Sequence, residues 1–208
     1  MIIKVCGLKY QENIEELSLL NLDMMGFIFY AKSKRFVGNT LEKSILKDLP
    51  EHIKKIAVVV NETIENCIAI MQEYPFDYLQ LHGDESAAYC ARIKSEGIAV
   101  IKAFSVDEQF DFQLTTAYEP HCDYFLFDTK GKEKGGNGVA FDWSVLNNYM
   151  GKLPFILSGG LGPSNIERAT QIPHKKMIGL DINSQLEESP ALKSVPLTAE
   201  IINYVKKM

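Results

Sequence analysis

The sequence predicts an α/β fold: a single-domain (β/α)8 (TIM) barrel spanning residues 1–208. Three observations predict it. Eight short apolar runs, mostly β-branched or aromatic, are nearly continuous rather than alternating, as strands covered on both faces are. Segments with helical spacing lie between them. Successive runs start roughly 20–30 residues apart, the scale of one βα unit. Eight such units in 208 residues sit near the lower length limit of a closed barrel. The rival, an open doubly wound sheet, usually uses fewer strands.

The runs fall at residues 2–6, 24–29, 56–60, 78–81, 99–103, 124–127, 155–157 and 177–182. After the first, residues 12–22 place Ile14, Leu17 and Leu20 on one face. Residues 40–49 open on Thr40 as N-cap and space Leu41, Ile45 and Leu49 four apart. Residues 63–74 gather Ile64, Cys67, Ile68 and Met71; residues 86–96 gather Tyr89, Cys90 and Ile93. The pattern over residues 107–118 is weak and reads as helix or irregular chain. Residues 142–150 form a short helix behind an Asp142 N-cap. Residues 163–171 carry Pro163 at the start, where a missing N–H costs little. Residues 196–206 close the chain with lysine in the last turn, favourable to the helix dipole.

Composition narrows the function classes. Hydrophobic residues make up 46% and charged residues 24%, a globular balance that excludes wholesale disorder. No apolar run approaches the ~18 residues of a membrane span. The net charge is −5 and the basic residues are scattered, so no nucleic-acid footprint is expected. The N-terminus enters a strand without a signal-peptide pattern. The four cysteines, Cys6, Cys67, Cys90 and Cys122, form neither a C-x-x-C pair nor a zinc spacing. Free thiols in a reducing cytoplasm are expected. Apolar surface on the helices is too sparse to choose between a monomer and a homodimer.

In such barrels chemistry gathers at the C-terminal ends of the strands. The polar residues there are Cys6, Arg35, His82, Lys102, Asp128, Ser158-Gly159-Gly160 and Asp181-Ile182-Asn183-Ser184. The Gly159-Gly160 pair lets backbone N–H groups approach an anion, and Asn183-Ser184 adds a second donor-rich turn. Both follow the last two strands, where many barrels hold a substrate phosphate. The bland reading is a plain glycine turn. Cys6 is either a small buried hydrophobe or a nucleophile or base, which needs a site favouring thiolate. Asp128 is either a loop cap or an acid–base group. Asp181, at the end of the last run, would repel phosphate and reads as bonded to backbone or a helix start. His82 reads equally as a cap or as part of the rim. Lys102 is a partner for a carboxylate or an aid to phosphate. Arg35 is a solvated loop arginine or a bidentate clamp for a carboxylate. The glycine-rich stretch 131–138 fits neither a Walker loop nor a dinucleotide loop and reads as a flap over the rim.

Several pieces, in order, resemble the phosphoribosylanthranilate isomerase family. They are Lys4-Val5-Cys6-Gly7-Leu8, Gly26-Phe27-Ile28-Phe29 with Ser33-Lys34-Arg35-Phe36-Val37, Gln80-Leu81-His82-Gly83-Asp84 and Asp128-Thr129. Gly135-Gly136-Asn137-Gly138 with Phe141-Asp142-Trp143, Ser158-Gly159-Gly160-Leu161 with Pro163 and Asn165, and Gly179-Leu180-Asp181 complete the set. The resemblance implies a cofactor-free and metal-free Amadori rearrangement of N-(5-phosphoribosyl)anthranilate in tryptophan biosynthesis. It implies Asp128 as general acid toward the ribose ring oxygen and Cys6 as general base toward C2′. It implies Arg35 at the anthranilate carboxylate, and Gly159, Gly160, Asn183 and Ser184 at the phosphate, with His82 and Asp181 also counted among the substrate-binding residues. The chain departs from the family pattern at Lys9, Lys34, Gly135–Gly138 and Asn183-Ser184-Gln185. Gln185 stands where a glycine's freedom to take positive φ is usual, which bears on the phosphate turn.

Two other readings remain, a different phosphosugar barrel enzyme and a non-catalytic phosphate binder. A metal-using phosphosugar epimerase would cluster His and Asp at several strand ends, and His52, His121 and His174 lie elsewhere. An indole-glycerol-phosphate synthase would need lysine–glutamate pairs there, and Lys102 alone is so placed. A non-catalytic phosphate binder would need neither Cys6 nor Asp128.

Overall fold

The computed structural model describes residues 1–129 and 142–207. Eight parallel strands close into a barrel in chain order. They are β1 (Ile2–Cys6), β2 (Met24–Ile28), β3 (Lys54–Val59), β4 (Tyr78–Leu81), β5 (Val100–Val106), β6 (Tyr124–Thr129), β7 (Phe155–Ser158) and β8 (Met177–Ile182). Helices α1 (Gln11–Ser18), α2 (Lys43–Asp48), α3 (Ile64–Glu73), α4 (Ala87–Ser95), α5 (Ile166–Thr170) and α6 (Val195–Lys206) cover the outside. Each expected run is a strand, and the barrel, not the open sheet, is the outcome.

Strand alternation builds two cores. Outward residues such as Ile3, Val5, Phe27, Leu81, Phe127 and Leu157 meet the helices. Inward residues Cys6, Met24, Ile56, Val58, Ile101, Ala103, Leu126 and Ile156 fill the barrel. Both faces are therefore apolar, which is why the runs are continuous in sequence.

The helices before the last are shorter than their spacing predicts, α6 (Val195–Lys206) matches its expected span to within a residue, and two helices are of a different kind. Thr63 and Ser86 cap α3 and α4, accepting from Asn66 N at 3.2 Å and Tyr89 N at 3.2 Å. The expected Thr40 cap does not form: Gly38–Thr40 is a 3₁₀ turn and α2 starts after Glu42. The ambiguous stretch after β5 is a 3₁₀ helix, Phe112–His121, with Pro120 inside it. Proline lacks the N–H that an α-helical ladder needs. Asp142 caps as expected, through Ser144 N, but the helix it caps, Trp143–Asn148, is 3₁₀. The helix expected over residues 163–171 is regular only from Ile166; the turn before it is closed by the Gly162 N–H donating to the Asn165 side chain at 2.9 Å. The glycine-rich stretch 131–138 and Phe141 lie outside the described residues.

A small antiparallel hairpin, β9 (Glu187–Ser189) and β10 (Leu192–Lys193), follows β8; no periodicity in the sequence predicts it. Asn13 on α1 pins it: Asn13 Nδ2 donates to Lys193 O at 2.9 Å, and Lys193 N donates to Asn13 Oδ1 at 2.8 Å. Among the described residues no helix is long and apolar enough to cross a membrane.

Lys102 proves to be a partner for a carboxylate. Its ammonium meets Glu85 Oε2 at 3.0 Å and donates to the Gly83 and Ala103 carbonyls at 2.7 and 2.9 Å, all under cover. Glu85 in turn accepts from the N–H groups of Asn61 and Gly83. Removing one partner of such a pair leaves a buried charge alone. Lys102→Met should therefore cost about 3–5 kcal/mol in urea unfolding, and Lys102→Met/Glu85→Gln should recover part of it.

Candidate active site

The C-terminal ends of the strands enclose a cavity of about 280 Å³. Eight of the nine residues expected at the site line it: Cys6, His82, Asp128, Gly159, Gly160, Asp181, Asn183 and Ser184. They come from the ends of β1, β4, β6, β7 and β8 and the turns after them, so only closure of the barrel brings them together. Arg35 stands at its edge, its Cδ packed over Gly7 beside Asn183.

Cys6 ends β1 and points inward. A Cβ on Gly26 of β2 would come within 2.7 Å of the Cys6 Sγ, so the glycine makes the room that the thiol occupies. Burial pushes the thiol above its ordinary value; Lys4 pulls it down and Asp181 pushes it up.

Asp128 lies near the end of β6 and is partly open, with a side-chain exposure of 31%. His82 Nε2 lies 3.4 Å from its Oδ2, and Gln80 Nε2 lies 2.7 Å from His82 Nδ1. With the Gln80 amide donating, His82 Nδ1 accepts and Nε2 carries the proton toward Asp128. His82 thus belongs to the rim; the cap of α4 is Ser86.

Asp181 is buried against charge, not against phosphate. Its Oδ1 takes the Lys4 ammonium at 2.9 Å and its Oδ2 takes the Ser158 hydroxyl at 3.2 Å. Burial opposes the Lys4 charge, yet Asp181 holds the ammonium above its ordinary range. Gly159 and Gly160 have φ of +108° and +63°. A side chain at Gly159 would run into the Thr129 backbone. Asn183 Oδ1 accepts from Lys193 at 2.6 Å, which leaves its Nδ2 as the donor. Gln185 lies in a 3₁₀ turn, Ser184–Leu186, and needs no positive φ. The strain expected from a non-glycine residue there is therefore absent.

Arg35 is held by the hairpin. Its Nε and Nη2 each meet a Glu187 oxygen at 2.6 Å, a bidentate fork. Glu187 also accepts from Lys193 at 2.7 Å and from Ala191 N at 3.0 Å. Burial favours the neutral acid, but Arg35 and Lys193 outweigh it and hold Glu187 at about 2. Sequence reasoning misses Glu187 and Lys193 because strands of three and two residues carry no readable period. Among the described residues no cluster of three or more His, Cys, Asp or Glu could hold a metal.

Residues 3–204 match the family model described as N-(5'phosphoribosyl)anthranilate (PRA) isomerase. The chain belongs to the N-(5'-phosphoribosyl)anthranilate isomerase family. It is similar to the N-(5'-phosphoribosyl)anthranilate isomerase of Phocaeicola vulgatus, with 42% identity over 100% of this chain and 98% of that one. The Parabacteroides distasonis protein of the same name is also 42% identical, over 99% and 93% of the two chains. The crystal structure of phosphoribosyl anthranilate isomerase from Thermotoga maritima superposes with a TM-score of 0.86 at 30% identity, covering 100% of both chains. Another solved phosphoribosyl anthranilate isomerase holds reduced 1-(o-carboxyphenylamino)-1-deoxyribulose 5-phosphate; it has a TM-score of 0.84 at 28% identity over 100% of both chains. Membership makes the chain an isomerase of tryptophan biosynthesis, as its motifs imply.

The depressed Glu187 carboxyl has a stability consequence. An acid held low in the folded state stabilises above its unfolded value and loses that contribution as pH falls through its folded value. Glu187→Gln should lower stability at pH 7 by about 1–2 kcal/mol, after allowance for screening at the partly exposed Arg35. The gap from the parent should narrow below about pH 4.5 and close near pH 2, read by urea unfolding across pH.

Proposed function

We propose that Asp128 and Cys6 are the acid and the base of an Amadori rearrangement of N-(5'-phosphoribosyl)anthranilate. The observation that carries this reading is that both side chains face one cavity from β6 and β1, and that the strands between them, β7 and β8, end in the glycine turn and the Asn183-Ser184 turn. An anion anchored at Gly159, Gly160, Asn183 and Ser184 then puts a sugar chain between the two groups. Asp128 gives its proton to the ribose ring oxygen. The C1′–O bond breaks as the anthranilate nitrogen lone pair forms the C=N bond of a protonated Schiff base. Cys6, as thiolate, takes the proton from C2′, and those bonding electrons make the enolamine. The enolamine becomes the ketone by gaining a proton at C1′ and releasing one from the C2′ hydroxyl. The scheme calls on no metal or cofactor.

Arg35 is the residue proposed for the anthranilate carboxylate. Its fork to Glu187 uses Nε and Nη2, and the Nη1 donors remain for a second carboxylate. His82, beside Asp128 at 3.4 Å, is proposed to orient it, and Asp181 to form part of the cavity wall. Binding energy at the two anionic ends of the substrate orients the reacting carbons. The four described cysteines are free thiols, which suits a reducing cytoplasmic compartment.

Turnover is read as loss of anthranilate fluorescence with freshly prepared substrate. Cys6→Ser and Asp128→Asn should each lower kcat/KM by about 10²–10⁴-fold. Turnover that survives both substitutions would discard the acid–base assignment. Gly160→Ala, judged against a fold control by circular dichroism, should raise KM more than it lowers kcat, because a Cβ there meets no neighbour and strains only the turn's positive φ, away from the acid and base. The sign of the pH response follows from burial of the thiol. A base whose thiol is held above 9.0 is more often ionised as pH rises, so kcat/KM should climb from about pH 7 to about pH 9. A flat profile over that range would contradict a buried thiol as base.

A further inference from the structure

Lys4 is fully buried inside a barrel whose other inward positions are mostly apolar. A buried ion pair is a weak source of stability alone, since apolar side chains of like volume do as well or better. Lys4 and Asp181 are register partners across the β1–β8 seam, and their side chains meet at 2.9 Å. Lys4 lies two residues before Cys6 on β1, so both side chains face the interior. Asp181, at which the Lys4 ammonium ends, lines the same cavity as Cys6.

The charged groups around Cys6 are few. Lys4 approaches from β1 and Asp181 from β8. Lys193 on β10 and Arg35 after β2 act from the edge, and both are bound to Glu187. Asp128 from β6 and His82 after β4 face the cavity from the far side. Of the cations, Lys4 acts most strongly on the thiol.

We propose that Lys4 is a positioning residue that supplies the buried positive charge on which the Cys6 thiolate depends, while Asp181 competes for that charge. This rests on the reading of Cys6 as base. With Cys6 protonated, Lys4 and Asp181 sum to zero charge. When Cys6 loses its proton, the ammonium sits between two anions, and the interior carries one net negative charge instead of two. Lys4 never gives up its own proton in this scheme.

Alkylation of Cys6 by iodoacetamide across pH, followed by peptide mass mapping, tests the charge without substrate. Cys6→Ser serves as the blank for the other three thiols. Lys4→Met should alkylate about tenfold more slowly near pH 8, with its profile displaced to higher pH, as a thiol that ionises about one pH unit later requires. Asp181→Asn should move the opposite way, faster and to lower pH, because the ammonium then serves the thiol alone. Purely structural roles would loosen the site in both variants and shift both in one direction, which would overturn the proposal. If Lys4→Met alone does not fold, Lys4→Met/Asp181→Asn leaves no lone buried charge. It differs from Asp181→Asn only at Lys4 and should be about tenfold slower than that variant. Coincident profiles for these two would overturn the proposal. The same variants assayed for turnover should lose kcat with Lys4 while KM stays within about twofold. An alkylation shift with unchanged kcat would refute Cys6 as the base and leave the charge coupling standing, so the two failures are distinguishable.

Discussion

Pairing of β1 with β8, Ile2 against Gly179 through Val5 against Ile182, is what closes the barrel, and the site hangs on that seam. It joins the first strand of the chain to the last one of the ring. A Cβ on Gly179 would meet Ile2 O at 2.7 Å, so the close approach of the two backbones needs a glycine there. Closure sets Cys6 beside the end of β8 and the Asn183-Ser184 turn that follows it, and it lays Lys4 against Asp181. Without it, Cys6, its neighbouring charges and the Asn183-Ser184 turn would belong to opposite edges of an open sheet.

The chain beyond β8 reinforces the same seam from outside. The β9–β10 hairpin is bound to α1 through Asn13, so an element that follows the last strand is fixed to one that follows the first. Lys193 then reaches Asn183 and Glu187 at once, and Glu187 fixes Arg35. A backbone contact remote from the cavity is thereby converted into the direction of a guanidinium at its edge. Rigid elements, and not free loops, aim the charged groups.

Charge around the rim is arranged in local groups. Lys4 answers Asp181, Lys102 answers Glu85, and Arg35 with Lys193 answers Glu187. The third of these groups has two cations for one carboxylate and leaves a net positive edge, where a substrate carboxylate is proposed to lie. Asp128 has no lysine or arginine partner among the described residues, only His82 at 3.4 Å, which leaves its carboxyl available for proton transfer.

Continuous apolar runs at βα spacing made the strands legible from sequence, because a strand covered on both faces has no polar alternate positions to hide it. Asp142 announced a helix start through a local hydrogen bond that needs no tertiary partner, whereas Thr40 did not cap; Thr63 and Ser86, not named as caps from sequence, do. Cys6, Asp128 and the Gly159-Gly160 turn can be grouped from sequence, and they do line one cavity, because the barrel frame sets strand ends at one rim. Three-residue and two-residue strands are invisible to periodicity, so Glu187 and Lys193 were not found. Asp181 could be recognised as structural, but its partner lies 177 positions away in the chain. Which segments are strands, and which residue types stand at their ends, follows from the order of residues along the chain. Which charges meet follows from barrel closure, since pairing across a closing seam joins residues with no local relation.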